Sequence, residues 1–500
     1  MSENSKLLSR SINAAKWNYL GNGARVLLQF AIGVMLARLL GPEAFGLVAI
    51  AWIMIGIGKL FADFGFSAAL VQRPDLTERD IGFIFTIQVA LGAALSVACY
   101  LLAGQIGIFF NRPDVAPIIK VMSWLFLIQA IGQTTTSALN RELRFKFTQM
   151  VNILTYLIGY VLVGIPAAYM GYGVWSLVAA QMVQAVTYTV LVMFQAGVSI
   201  KPAMQPSRPG LFKFGGKVMG ANLCSWGIGN FDSLLIGRYF GVPALGLYNR
   251  SMTLVSTPMN AVTTSLQAVL FSAASKMQLD SKQVTQVFLA ATELMAYVCF
   301  PIFLVIAVIP DVVVLGVYGE KWRDATPLLV PLALAMPVHA LLALVGPILM
   351  AIDKTEIEIK AQIVTVIVML PALFVAAQIS VLVVAWTILG IYVVRWVLLL
   401  TGIAVVLHIG VGALFNALKY PMMLAIIVAT TVWCSKLLMP TTTPLIQLSL
   451  LIAASGLSLL ITTRLLGSSL LTGPLGFVMQ SRQMIKGPVA KWLRYRIVAK

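Results

Sequence analysis

Residues Arg38 to Leu47 read RLLGPEAFGL, and Arg238 to Leu247 read RYFGVPALGL. The stretches stand two hundred positions apart and share Arg, Gly, Ala, Gly and Leu at matching places. Asn22 and Asn222 fall on the same offset, each inside the apolar run that leads into its copy. Self-similarity at one fixed spacing marks a duplicated structural unit. The chain therefore consists of two related halves.

Of the 500 residues 60% are hydrophobic and 10% charged, with a mean hydropathy of +0.93. A soluble globule lacks the interior to hide so much apolar surface. Apolar runs of about 20 residues recur along the whole length, enough to cross a hydrocarbon core of about 30 Å as helices. Transmembrane barrels alternate in segments of about ten residues, unlike these unbroken runs. The pattern predicts an all-α polytopic membrane protein with about 14 transmembrane helices.

Spans are expected near 17–39, 44–69, 81–103, 116–138, 149–170 and 174–195, then near 213–237, 248–271, 286–309, 325–350, 359–378 and 382–407. Two more, near 418–437 and 445–464, precede a basic tail. This divides the chain into an N-lobe over 1–195, an inter-lobe loop over 196–212, a C-lobe over 213–407, appended helices over 408–464 and a tail over 465–500. Six spans separate the two signatures, and six is even. The halves thus enter the membrane in the same direction, a parallel repeat of the kind found in alternating-access transporters. Two six-helix lobes forming a V, plus two extra C-terminal helices, is the expected architecture.

The net charge of +18 is topological. With a cytoplasmic N-terminus, 24 cations fall on the inner side and eight on the outer, an excess that settles the orientation under the positive-inside rule. Both termini are expected in the cytoplasm, with the first helix an uncleaved start signal. Nucleic-acid binding explains the charge badly, because the cations follow loop parity and not one continuous face. Cys99, Cys224, Cys299 and Cys434 lie scattered in apolar runs and read as small buried hydrophobes. GKV at Gly216 to Val218 falls short of a phosphate loop, and no G-x-G-x-x-G, H-E-x-x-H or G-x-S-x-G occurs. No outer loop is long enough for a catalytic domain, the longest being about 310–324. No enzyme, metal site or cofactor is expected.

Three cations remain inside spans: Arg25, Lys59 and Arg395. Such groups cost about 2.5–3.5 kcal/mol each on insertion scales and normally face a cavity. Counted along their helices, they stand roughly 12–18 Å from the cytoplasmic boundary. Lys59 also has Asp63 four residues on along the same helix face, an ordinary pairing distance. Arg25 has snorkelling as an alternative. The functional reading is a cationic layer for an anionic headgroup, since guanidinium donates to two phosphate oxygens at once. Asn22 and Asn222 are the neutral candidates beside it, with interhelical hydrogen bonding as their other role. Asp63, Glu293 and Asp232 are candidates for ion coupling, against structural pairing. Arg141 and Arg144 form a basic loop at the cytoplasmic mouth, which orientation alone also explains. Arg38 and Arg238 read as helix caps or headgroup anchors, and the tail from Met479 to Lys500 as an amphipathic anchor on anionic lipid.

The runs LARLLGPEAFGLVAIA, DFGFSAALVQRPDLTERD, IGRYFGVPALGLYNRS and FSAASKMQLD resemble the Wzx-like polysaccharide transporters. These belong to the multidrug/oligosaccharidyl-lipid/polysaccharide exporter superfamily, and the colanic-acid and xanthan exporter branch is nearest in wording. The resemblance covers about residues 5 to 410. It implies a flippase moving undecaprenyl-diphosphate-linked oligosaccharide from the inner to the outer leaflet of a bacterial plasma membrane, by ion-coupled alternating access. The implied partners are that glycan carrier, membrane lipids and the polysaccharide polymerase and export machinery. The coupling ion, H+ or Na+, stays open. The alternative on the same frame is a multidrug or small-solute cation antiporter using Asp63 and Glu293. A membrane glycan polymerase would need a large outer loop, which is missing.

Overall fold

The computed structural model describes residues 3–67, 70, 77–195, 202–204, 211–278, 280–439 and 443–465. The basic tail from 466 onward, and the loop 196–210 apart from 202–204, lie outside the described residues. No strand occurs among the described residues.

The long helices, in chain order, are α1 (Glu3–Leu39), α2 (Pro42–Asp63), α3 (Glu78–Phe109), α4 (Val115–Arg141), α5 (Phe145–Tyr169), α6 (Val174–Gln195) and α7 (Leu211–Tyr239). They continue as α8 (Gly241–Lys276), α9 (Ser281–Val308), α10 (Thr326–Ala351), α11 (Thr355–Ala376), α12 (Val381–Leu407), α13 (Val411–Leu438) and α14 (Pro444–Leu465). Among the described residues, 11 of the helical segments are long and apolar enough to cross a membrane. The other three, α1, α7 and α8, have 37, 29 and 36 residues and stand where the sequence predicts the first, seventh and eighth spans.

Local chemistry sets the ends. At the start of α2, Gly41 takes φ 111°, open only to glycine at low cost, and Pro42 occupies the first turn, where its missing N–H loses nothing. α3 opens on a capping box. The Thr77 hydroxyl accepts from Asp80 N at 3.2 Å, and the Asp80 carboxylate accepts from Thr77 N at 3.1 Å. α9 opens on Asp280, whose Oδ1 accepts from the amides of Lys282 and Gln283 at 3.0 and 3.2 Å. α5 changes to π-helical winding over Leu157–Gly164, and there Gly159 lets α6 approach until an added methyl would sit 2.5 Å from the Ala180 carbonyl oxygen.

Two expectations about helix extent are corrected. α1 begins at Glu3, well before the apolar run at 17, because hydropathy locates the crossing while residues such as Lys6, Leu7, Leu8, Ala14 and Ala15 sustain a helix into the polar flank. The stretch 310–324, expected as the longest loop, is a helix over Pro310–Val317 followed by a 3-10 turn over Glu320–Ala325, with Trp322 completely buried.

Contacts divide the chain into two compact units, Met1–Asn249 and Arg250–Lys500. In the first unit, α2 runs antiparallel to α7, with Gly56 against the Trp226 indole and Gly65 against the Gly215 backbone. In the second unit, α9, α10 and α13 form the core through Ala296, Phe300, Leu341 and Ala425. Lys436 at the end of α13 donates to both carboxylate oxygens of Asp311 at 2.6 and 2.8 Å, fastening the short helix after α9.

Candidate functional site

In the first unit, Arg25 Nη2 donates to Asn22 Oδ1 at 2.8 Å, one turn back on α1. Its Nε is buried without a hydrogen-bond partner. α1 rests on α5 here, with Gly21 against Gln149. The Tyr188 hydroxyl of α6 shares a hydrogen bond with Thr136 Oγ1 of α4 at 3.2 Å and lies close to Asn152 of α5 and within reach of the Arg25 charge. Arg25, Asn22, Thr136, Asn152 and Tyr188 thus gather polar groups from four helices inside the first unit. A guanidinium with an unsatisfied buried N–H among hydroxyls and amides can take an additional acceptor such as a phosphate oxygen.

Lys59 is exposed and does not pair with Asp63, although the spacing allows it. Asp63 turns the other way. Its Oδ1 accepts from Ser67 N at 3.3 Å, from the Ser67 hydroxyl, and from Gln88 Nε2 at 2.9 Å. Gln88 Oε1 in turn accepts from Thr134 at 2.6 Å, and Gln133 donates to Ser67 Oγ at 2.9 Å. Three neutral donors from two residues satisfy the carboxylate without desolvating an ammonium, and the result is a partly buried polar relay joining α2, α3 and α4.

In the second unit, Arg395 Nη2 of α12 lies 3.9 Å from Glu358 Oε1 of α11, with the two side chains 22% and 33% exposed. Its Nε, too, is buried without a hydrogen-bond partner. His339 of α10 stacks on Tyr392 with ring centroids 5.0 Å apart and feels the Arg395 charge. Glu358 had not been singled out in the sequence, because an acid in the first turn of a helix looks like an ordinary boundary residue. Gly402 of α12 abuts Ile357 near the start of α11, so the last turn of α12 overhangs its neighbour. Arg395 stands seven residues before Gly402, about 10 Å along α12 from that contact, which brings it level with Glu358 in the first turn of α11.

The remaining candidates separate. Asp232 of α7 is 4% exposed and accepts from the Tyr248 hydroxyl of α8 and from Ser233 N, a tie between the helices. Glu293 of α9 is completely buried, with the Tyr297 phenol within reach of its charge. Asn222 is exposed on α7. Arg144 lies 3.9 Å from Glu142 and over the Phe147 ring, beside Arg141. Arg238 lies over the Phe109 ring, 5.4 Å from its centroid. The Thr136 and Tyr188 contributions were missed, although the run QTTTSALN in an otherwise apolar α4 signals a polar interior face. Beside Arg395, Trp396 and Leu400 of α12 and Leu414, Leu418, Met422 and Ile426 of α13 line an apolar groove of about 700 Å³, with Lys419 at its edge.

A family model described as "Polysaccharide biosynthesis protein" matches residues 35–327, more than half of the chain. The chain belongs to that family. Relatives within reach of sequence comparison include the lipopolysaccharide biosynthesis protein WzxC of Escherichia coli K12, 24% identical over 75% of this chain and 76% of its own. The teichuronic acid biosynthesis protein TuaB of Bacillus subtilis is 26% identical over 83% of this chain and 86% of its own. Among solved structures, the lipid II flippase MurJ in an inward closed conformation superposes with a TM-score of 0.72 at 13% identity, covering 92% of this chain and 99% of that one. An inward-facing multidrug resistance MATE transporter gives 0.57 at 16% identity, covering 76% and 92%. These likenesses establish that the chain has the fold of these two proteins. The protein is a multi-pass membrane protein of polysaccharide biosynthesis.

Proposed function

We propose that the protein is a flippase that carries undecaprenyl-diphosphate-linked oligosaccharide from the inner to the outer leaflet of the bacterial plasma membrane. The observation that carries this reading is the pair Arg25 and Arg395, one in each unit, each within a membrane helix and each with a buried guanidinium N–H awaiting an acceptor. A diphosphate supplies such acceptors, and in low dielectric a charge-assisted bond to it is strong. Asn22 and Glu358 hold the two guanidinium groups until the headgroup arrives. The polyprenyl tail runs along the apolar groove beside Trp396, and the sugar stays among polar groups, spared an unbonded passage through hydrocarbon.

In the same proposal the chain crosses the membrane fourteen times with both termini in the cytoplasm, as the distribution of Lys and Arg requires. Lys59 and Asn222 meet the cargo as it enters, Arg141 and Arg144 attract it to the cytoplasmic mouth, and coupling to H+ or Na+ resets the empty carrier through Glu293. The oligosaccharide then passes to a polymerase on the far side.

Inverted membrane vesicles from a strain lacking the gene, supplied with labelled lipid-linked repeat unit, test this directly. Vesicles with the wild-type protein should protect the label from an added glycosidase, and those with Arg25→Ala or Arg395→Ala should not. Correctly folded alanine variants that translocate normally would leave the anion-carrier reading without support. Cation efflux lost with Glu293→Gln while glycan translocation never appears would instead favour the antiporter.

A further inference from the structure

Gln267 of α8 donates from Nε2 to the Ala343 carbonyl oxygen of α10 at 2.7 Å. A helical carbonyl is ordinarily taken by the N–H four residues on, and here that residue is Pro347, which has none. Gln267 thus satisfies the acceptor that the proline leaves open. With no water in the bilayer core to take its place, a donor from a neighbouring helix is what keeps such a carbonyl from being stranded.

The other half of the duplication makes a tie at the same place by different means. α4 and α10 end alike: Leu143 and Asp353 take left-handed φ values of 59° and 55°, and the amides of Arg144 and Lys354 reach back to the carbonyls of Leu139 and Leu349. These two helices are therefore offset by 210, so that Ala343 corresponds to Gln133 and Pro347 to Ser137. At the offset of 200, Gln267 corresponds to Ser67. In the first unit Gln133 donates to Ser67 Oγ at 2.9 Å. Both halves join their second and fourth helices at equivalent positions, but only the second spends a side chain on backbone, because only there does a proline stand one turn on. The tie is present in both copies although both of its residues differ, which points to a task beyond one hydrogen bond.

What packs on the same stretch of α10 names that task. Gly346, the residue before Pro347, is pressed on Glu358 of α11, where an added methyl would stand 2.8 Å from Oε2. The other oxygen of that carboxylate lies 3.9 Å from Arg395 Nη2. His339, one turn before Ala343, stacks on Tyr392 of α12, one turn before Arg395. The backbone of α10 from 339 to 347 is therefore in contact with both the partner of the Arg395 guanidinium and the helix that carries it. Proline loosens and bends a helix at such a point, since its ring crowds the carbonyl four residues back. The bond from Gln267 fixes the direction that the loosened turn takes.

We propose that Gln267 is a positioning residue for the Arg395 site: by holding the Ala343 carbonyl it keeps α10 bent at Pro347, and the bend seats Glu358 and Tyr392 so that Arg395 is aimed at the cargo diphosphate. This rests on the reading of Arg395 as a diphosphate ligand. Gln267 acts through α10 and not on the cargo, and it is the shape of Glu358 against Gly346, rather than its charge, that the bend serves.

Titration of the full-length protein in lipid nanodiscs with undecaprenyl diphosphate, run beside thermal unfolding, separates positioning from the mere satisfaction of a carbonyl. Gln267→Leu keeps the bulk and removes the donor. It should lower the melting temperature by about 2–4 °C and raise the dissociation constant about tenfold. Pro347→Ala supplies the missing N–H, so Gln267→Leu combined with Pro347→Ala should melt as wild type does. A straightened α10 no longer seats Glu358, however, and the double variant should keep the loss of affinity, about tenfold. Pro347→Ala alone should fold and show the same loss, which serves if Gln267→Leu does not fold. A double variant that regains wild-type affinity along with its stability, or a Pro347→Ala variant that binds as wild type, would overturn the proposal. The cargo reading fails with a different signature: wild type would not bind undecaprenyl diphosphate at all, while exchange of amides 355–360 at the start of α11 would still rise about fivefold or more in Gln267→Leu and in the double variant. Unchanged exchange there would sink the positioning role whatever the cargo.

Discussion

Glu358 stands between Arg395 and any anionic ligand, so Glu358→Gln should tighten binding of a diphosphate lipid. At the 3.9 Å separation, full charges at an effective dielectric of about 20 would attract by about 4 kcal/mol before desolvation and side-chain entropy are counted. The two side chains are 22% and 33% exposed, and ion pairs of that exposure retain on the order of 1 kcal/mol. An incoming diphosphate has to displace this pairing. Glutamine keeps the shape against Gly346 while removing the charge, so the dissociation constant should fall by about fivefold. Arg395→Ala removes the donor instead and should weaken binding by about 30–100-fold, the worth of one charge-assisted interaction of about 2–3 kcal/mol. Titration of purified protein in nanodiscs with synthetic undecaprenyl diphosphate, followed by the fluorescence of the neighbouring Trp396, measures both, with thermal unfolding as the folding control. A Glu358→Gln variant that binds more weakly than wild type, with an Arg395→Ala variant that binds equally well, would refute this account of the site.

Tyr248→Phe strands the buried carboxylate of Asp232, and the melting curve should show a loss of about 1–3 kcal/mol, with glycan translocation at permissive temperature retained. Asp63→Leu leaves Ser67 and Gln88 without their acceptor and should cost about 2–4 kcal/mol, whereas Asp63→Asn keeps an oxygen in place and should cost less than about 1 kcal/mol in the same assay. The Asp114 carboxyl, outside the spans, is held below its ordinary value of 3.8 by the hydrogen bond from Arg112. A depressed carboxylate contributes stability above its ordinary value and loses it as pH falls through the folded one. The advantage of wild type over Arg112→Met should thus be present at pH 7, no more than about 1 kcal/mol given the exposure, begin to fall only as pH drops below the ordinary value of 3.8, and be lost once pH passes the depressed folded value, in thermal unfolding at a series of pH values.

The frame was legible because hydropathy and repetition report what lipid and backbone demand. Twenty-residue apolar runs locate crossings regardless of neighbours, and RLLGPEAFGL repeated as RYFGVPALGL exposes the duplication. Gly46 and Gly246, visible in the sequence only as repeated positions, are where α2 and α8 approach each other's backbone, which needs the third dimension to see. Partner choice was illegible for a physical reason. Lys59 and Asp63 have the spacing of an ion pair, yet the carboxylate is satisfied by Gln88 on α3, a residue unmarked by any local pattern. Arg395 finds Glu358 because α12 overhangs α11, an offset between helices that residue counting within one helix cannot register. The 3-10 turn that buries Trp322 was hidden by four charged residues in six, EKWRDA, a composition that reads as loop.

What the duplication preserved and what it did not bear on the cargo. Arg38, Gly41, Gly46 and Leu47 recur as Arg238, Gly241, Gly246 and Leu247, and these residues shape corners and close contacts. On the same offset, Arg25 meets Ser225, Lys59 meets Met259 and Asp63 meets Thr263. The scaffold positions are twofold while the charged ones are not. A symmetric carrier for a small ion would have every reason to keep its ligands in pairs, since both halves would bind the same charge. A lipid-linked glycan is polar at one end and apolar at the other, and a site that fits it must distinguish its two sides. In this protein the second unit has the apolar groove beside Trp396 and the carboxylate-tethered Arg395, and the first has Arg25 among Tyr188, Thr136 and Asn152. If that division of labour is right, restoring the symmetry by Ser225→Arg should not improve translocation. It should slow it, by adding to the second copy a cation on an exposed position of α7 for which the cargo has no matching phosphate.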